Sequence, residues 1–452
     1  MPERRRFFAE RAWVGGTWAE DVLLACDERG CWSEVRPGCD PAARQGCERL
    51  PGPVLPGLVD AHSHAFQRAI AGRTEIAGAS SDDFWSWRER MYAVAARITP
   101  TQLEAIAAFL YTELLRAGYT QVCEFHYLHG DADGRPYAEP LEMALALVRA
   151  ARRAGIGLTL LPTLYMRSGF ATPGLSEAQR RFASTPEAVL RMAEALRAES
   201  DATLAAGVAL HSLRAVDEGA LRETAAAARD AGLPVHMHVA EQQREVDDCV
   251  RRHGRRPIEW LLEEAVPDEG WNLVHATRST PAELKGLQAA GAGIVLCPST
   301  EANLGDGVFD LPTWLGLGGR WALGSDSHVT RCWAEELRLQ EYAQRIVLRE
   351  RNVAARAVGG RDTAGVLFEG ALAGGAGACG APTGALAPGR RADFCVLDAT
   401  APALAGIPPA QVLDALVFSS PGAPMARVCV AGRDVDLEPP TADFEAAMQS
   451  LW

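Results

Sequence analysis

Lysine is almost missing from this 452-residue chain: of its 45 basic residues one, Lys285, is a lysine and the rest are arginines. Chemistry that needs a lysine amine is thereby confined to position 285, and the surface takes its positive charge from guanidinium groups. Paired cysteines are missing too. The eleven cysteines are scattered without a Cys-x-x-Cys or other close spacing, and their number is odd, which suits free thiols in a reducing compartment rather than a disulfide framework. No apolar run approaches the roughly 20 residues that span a bilayer, and the basic start of the chain is not followed by the apolar stretch of a secretory signal. The expectation is a cytoplasmic protein. Positive charge is also in short supply: a net charge of −13 speaks against nucleic acid or an anionic membrane as partner, while leaving room for a small anionic substrate held by local arginines.

The composition that remains, 48% hydrophobic and 23% charged, is that of a globular protein. Residues 1–55 hold short apolar or alternating pieces separated by Gly, Pro and Asp turns, and the segments Gly384 to Asp398 and Ala426 to Gly432 have the same texture. The two ends are expected to pair into a small β-sandwich domain, 1–55 with 385–452. Between them, over 56–384, strands and helices alternate. Candidate strands are 54–61, 119–127, 156–165, 204–212, 234–240, 272–276, 293–298 and 320–325, with Ala-, Leu-, Arg- and Glu-rich helices such as 101–117, 140–154, 186–198, 218–231 and 281–290 between them. Eight strands alternating with helices predict an α/β fold of (β/α)8 TIM-barrel type, whose active site forms at the carboxyl ends of the strands. Two long connections, 74–100 with Trp85, Trp87, Arg88 and Arg90, and 166–185 with Phe170 and Phe182, fall on that face. Such loops cover or line a site, although an aromatic helix packed on the barrel or on a neighbouring subunit has the same signature.

Ionisable residues gather where the strands end. His62 and His64 are two apart on the first strand and project to the same face. The second strand ends at Tyr127, the fourth at His211 and Arg214, the fifth at His236, His238 and Glu241, the sixth at His275 and the eighth at Asp326. A catalytic zinc takes three or four protein ligands from His and carboxylate and keeps a position for water, whose pKa it lowers toward neutrality. Strands one, five and eight of a closed barrel meet at its mouth, so His62, His64, a strand-five histidine and Asp326 can share one ion.

Pro56-Gly-Leu-Val-Asp60-Ala-His62-Ser-His64, His238-Val-Ala-Glu241, Leu273-Val-His275-Ala and Gly324-Ser-Asp326-Ser resemble, in this order, the motifs of the amidohydrolase superfamily, and the segment Gly384 to Asp398 is similar to its carboxyl-terminal β element. The resemblance implies the barrel, a divalent metal ion, foremost Zn2+, and His238 rather than His236 as ligand. Many members bridge two ions through a carboxylated lysine on strand four. Lys285 lies in the helix between strands six and seven, so the resemblance implies a mononuclear site, with Glu124 and Cys123 the remaining candidates for holding a second ion.

Gln67, Glu124-Phe-His-Tyr127, His211-Ser-Leu-Arg214, His238-Val-Ala-Glu241-Gln and Cys297-Pro-Ser-Thr-Glu-Ala-Asn-Leu-Gly-Asp306 further resemble the superfamily's deiminases that hydrolyse N-formimidoyl-L-glutamate to the formyl compound and ammonia in histidine breakdown. That resemblance assigns His62, His64, His238 and Asp326 to the metal and Glu241, His275 and Asp326 to catalysis. It assigns Gln67, Arg88, Tyr127, His211 and Arg214 to a small dicarboxylate amidine substrate, and it implies a homodimer. His126, His129, His253 and His328 are expected to be structural or solvated, and Cys297 and Asp306 to be loop architecture. Two other functions compete. One is a superfamily deaminase of a nucleobase or nucleoside, whose pocket would need stacking aromatics where strand four offers Ser212-Leu-Arg214. The other is a catalytically inactive barrel acting as a binding protein.

Overall fold

The computed structural model describes residues 5–77 and 82–452. The predicted connection 74–100 therefore includes four positions, 78–81, outside the described residues.

The chain's centre forms a parallel barrel of strands Leu58–Ser63, Tyr119–His126, Gly157–Leu164, Val208–Leu210, Val235–Val239, Trp271–His275, Gly293–Leu296 and Trp321–Leu323, each paired in parallel with the next. Residues of the first three strands are all buried, as expected of strands covered by helices on one side and filled by side chains on the other. The fourth is split, a further piece Leu204–Ala206 pairing with the third strand below Gly207. A Cβ at Gly207 would lie 2.6 Å from the Leu161 side chain, so the kink needs glycine.

Local sequence sets the helix ends. Thr99-Pro100, Thr185-Pro186 and Thr280-Pro281 each place a threonine cap before a proline in the first turn, opening helices Pro100–Ala117, Pro186–Ala198 and Pro281–Ala290. Two of these helices stop at glycines in the left-handed region, Gly118 and Gly291.

The ring closes at its mouth. Between the last and first strands the backbone contact is a bridge from Ser63 to Asp326, with the Asp326 N–H donating to the His62 carbonyl at 2.9 Å and the His64 N–H donating to the Asp326 carbonyl at 3.2 Å. The residues expected to hold the metal are thus also those that join the barrel's seam.

Both chain ends enter one mixed sheet, in which Val54–Pro56 pairs antiparallel with Phe394–Leu397 and so ties the amino-terminal strands to the carboxyl-terminal ones. This sheet is continuous and curls over itself. Trp32 and Phe394, four strands apart along it, bring their rings to 5.7 Å, and Cys31 bridges to Arg391. The sandwich-like core between Phe7, Leu24, Trp32 and Phe394 comes from this curl rather than from two separate sheets. The last helix, Thr441–Leu451, leaves the sheet and packs on the barrel helix Pro100–Ala117, with Phe109 and Phe444 stacked at 4.1 Å. Beneath the barrel, the buried pair Arg391–Asp393 is satisfied by Gln121, the Thr120 carbonyl and the Thr120 hydroxyl, which plugs the end opposite the mouth.

Candidate metal centre and substrate cleft

At the mouth, the ligating atoms of His62, His64 and His238 all lie within 4.8 Å of one another. The Nε2 atoms of His62 and His238 approach to 3.1 Å, and one carboxylate oxygen of Asp326 lies 3.6 Å from Nε2 of His62 and 3.5 Å from Nε2 of His64. Orientation of two rings is fixed from behind: Nδ1 of His64 donates to the Phe125 carbonyl at 3.0 Å and Nδ1 of His238 to the His211 carbonyl at 2.9 Å. Those bonds commit the ring protons and aim the Nε2 lone pairs at a common point, the arrangement of imidazoles that bind a metal. Burial holds all three imidazoles below their usual pKa, which favours the neutral form a metal requires. The donor set therefore fits a single divalent cation.

Sheet geometry turns sharply here. His275, Ala276, Asp326 and Ala240 all have φ between 49° and 69°, in the left-handed region that side chains seldom adopt. These kinks at the ends of strands five, six and eight swing functional groups over the mouth.

Asp60, within the first-strand motif, faces away from the cleft and accepts from the Ser325 N–H at 2.9 Å, binding strand one to strand eight below the ligands. Glu124 does the same for the first loop. It accepts from the Ala65 N–H at 2.6 Å, the Ser63 hydroxyl at 2.7 Å and the Tyr111 hydroxyl at 3.1 Å. With its oxygens so committed it stands on the helix side of the sheet, and Cys123 lies buried beside Thr159, so neither joins the three histidines. His236 is one layer below His238, where Nε2 meets the Ala378 carbonyl at 2.9 Å. His328 props the loop by bonding the His64 carbonyl at 3.1 Å.

Next to the ligands, Nε2 of His275 is 3.8 Å from Asp326 and 3.9 Å from Glu241, while its Nδ1 donates to Glu301 at 3.3 Å. Burial disfavours a charged imidazole, but the carboxylates of Glu241, Asp326 and Glu301 outweigh it and raise His275. Glu241 is raised by burial, against the pull of His275 and Arg214. Its backbone is anchored by Glu245, which accepts from the N–H groups of Ala240 and Glu241.

A cleft of about 520 Å³, solvent at its opening included, lies over these groups. All the sequence-predicted site residues line it except His62, which is fully buried beneath. Gln67 donates to the Tyr127 hydroxyl at 3.2 Å and leaves its carbonyl oxygen unbonded. Arg214 is buried, and the Nε and one Nη of its guanidinium have no partner; the same two atoms of Arg88 are buried and unpartnered. Arg88 stands on helix Phe84–Ala95, which lies across the mouth. Arg90, two residues on and so about half a turn round the helix, points outward instead and donates to the Thr74 and Ile76 carbonyls.

Some of the cleft was not foreseen from sequence. Glu301 appears within the quoted Cys297-Pro-Ser-Thr-Glu motif, yet its bond to His275 spans two strands. Asp306, expected to be loop architecture, is buried, and burial first and the Glu241 carboxylate second raise it above the usual carboxylate range. Five aromatic rings, Phe84, Trp87, Tyr92, Tyr127 and Tyr165, line the cleft, and three of them come from the loop helix. A shortage of aromatics therefore does not separate this pocket from that of a base deaminase.

The chain matches the amidohydrolase family over residues 54–435. It belongs to that family. It is similar, at 49% identity over 430 residues covering 94% of this chain and 93% of the relative, to formimidoylglutamate deiminase of Pseudomonas aeruginosa. A 5-methylthioadenosine/S-adenosylhomocysteine deaminase of Halobacterium salinarum is 29% identical over 387 residues, covering 85% of this chain and 81% of that one. Among solved structures, an amidohydrolase from Brucella melitensis superposes with a TM-score of 0.91 at 40% identity, covering 99% of each chain.

Proposed function

We propose that this protein hydrolyses the formimidoyl group of N-formimidoyl-L-glutamate to the formyl group with release of ammonia, a step of histidine breakdown. The observation that carries the reading is the pair of guanidiniums of Arg214, buried, and Arg88, half-buried, each with two buried and unpartnered nitrogens, in the same cleft as the metal-type histidines. Leaving such donors unbonded costs free energy that a carboxylate recovers through charge-assisted hydrogen bonds. A substrate with two carboxylates supplies both.

A single divalent ion, Zn2+ in this reading, would be held by His62, His64, His238 and Asp326, and when bound it supplies Lewis acidity that makes water a nucleophile near neutral pH. Asp326 accepts the proton of the attacking water. Glu241, its carboxyl raised by burial, holds a proton near neutrality and delivers it to the imino nitrogen, so that ammonia rather than an amide anion departs. His275, fixed by Glu301, orients the attacking oxygen and stabilises the charge that develops at the amidine carbon. Gln67, Tyr127 and His211 complete the grip on the glutamyl part beside Arg88 and Arg214.

Residues 56–384 form the catalytic unit in this scheme, with 1–55 and 385–452 accessory to it; among the described residues no strand of the curled sheet lines the cleft. Free, mostly buried cysteines support a cytoplasmic setting, and the homodimer rests on the family resemblance. Ammonia release from N-formimidoyl-L-glutamate, measured beside a panel of adenosine- and guanine-type bases, tests the reading. Turnover of the amidine alone supports it, and turnover of a base without the amidine refutes it.

A further inference from the structure

Outside the cleft lies a second concavity of about 1440 Å³, solvent included, that shares Arg88 and Arg214 with it. Its far wall is helix Gln243–His253, which contributes Arg244, Arg251 and Arg252. Against these five arginines stand two acids, Asp248 and Glu89, on a chain whose overall charge is −13. Asp248 pairs with Arg251 and, loosely at 3.8 Å, with Arg244; Glu89 lies 3.9 Å from Arg88. Arg252 makes no ion pair among the described residues. Trp85 sits between the two concavities, its ring facing the guanidiniums of Arg88 at 4.5 Å, Arg244 at 4.7 Å and Arg214 at 5.4 Å. The Trp85 indole thus lies among guanidiniums that run from the exposed helix to the buried site.

We infer that this bay is a capture site for carboxylate ligands: a dicarboxylate meets Arg244, Arg251 and Arg252 first and is then passed along Trp85 to Arg88 and Arg214. The inference rests on the proposed substrate being a dianion. Asp248 and Glu89 neutralise only part of this wall, and the five guanidiniums converge in a concavity, where low-dielectric walls focus the field. In an acidic protein such a local sink is what draws an anion to the mouth.

The test compares wild type with the double variant Arg244→Gln/Arg252→Gln in hydrolysis of N-formimidoyl-L-glutamate across a range of ionic strength. Expected is a loss in kcat/KM of roughly three- to tenfold at low salt, kcat within about twofold, and convergence of the two proteins at high salt. Arg252→Glu, which disturbs no ring contact or ion pair, should shift kcat/KM in the same direction. Equal kcat/KM at low salt, a loss independent of salt, or a parallel fall in kcat would each overturn the inference. If wild type does not turn over the amidine, the substrate reading has failed, and calorimetric binding of glutarate then decides the bay by itself. Weaker binding by the double variant at low salt supports it, and unchanged binding overturns it.

Discussion

His62 and His238 point their Nε2 atoms at each other across 3.1 Å, although Nδ1 of His238 already spends its proton on the His211 carbonyl. Nδ1 of His62 has no partner, so this ring either donates from Nε2 to the His238 lone pair or, as the other tautomer, presents a second lone pair to a cation at the same point. The carbonyl of His211 therefore does more than pack: it fixes the tautomer that leaves the Nε2 lone pair of His238 available to a cation, as the proposed ligand role requires.

Replacing this ligand should cost the metal itself. His238→Ala is expected to purify with well under one equivalent of divalent ion and to lose activity by at least roughly a hundredfold, as read by metal analysis and ammonia release on one sample. Full metal content in the variant would remove His238 from the site.

Glu241 should behave differently. Glu241→Gln keeps the shape and the backbone anchorage from Glu245 but cannot deliver a proton, so kcat should fall by roughly 10²- to 10⁴-fold with metal retained. A variant that loses metal together with activity would show Glu241 to be a ligand rather than the acid.

Arg214 carries both a binding role and a structural cost. Arg214→Met should raise KM and lower kcat/KM by roughly 30-fold or more, the value of a charge-assisted contact to one carboxylate. Because the guanidinium is buried with unpartnered nitrogens, the same change should leave the melting temperature of the ligand-free protein unchanged or higher. Lower melting with unaltered KM would mean that Arg214 serves the fold.

His129 gives a test of pH dependence away from the cleft. Burial lowers it from 6.5 to about 4, partly offset by the Thr163 carbonyl on Nε2, and its Nδ1 has no partner to receive a second proton. A folded pKa below the unfolded one means that the unfolded chain binds more protons between these values, so stability falls as pH drops from 6.5 through 4. His129→Asn should show a smaller fall over that window in denaturant titrations; an identical slope would mean that His129 titrates normally.

The barrel was legible because its strands are short apolar runs bounded by Gly, Pro and polar residues, and the predicted 119–127, 156–165 and 234–240 differ from the observed strands by at most one position at each end. The clustering of three histidines was legible because His62-x-His64 and His238-x-x-Glu241 are local spacings. Groups that meet across strands left no such signal. Glu301 against His275, and Glu124 beneath the His62 to His64 loop, depend on register between elements far apart in sequence. The loop helix had a different difficulty: periodicity alone does not say which side of Phe84–Ala95 faces the mouth. The structure turns Arg88 inward and ties Arg90 to the carbonyls of Thr74 and Ile76.

Product analysis in water labelled with oxygen-18 tests the central claim most directly. Water attack on the amidine carbon with departure of ammonia predicts N-formyl-L-glutamate carrying a single labelled oxygen, seen by mass spectrometry, and one equivalent of ammonia. Glutamate with formamide as products, or no conversion by the metal-loaded protein, would contradict it.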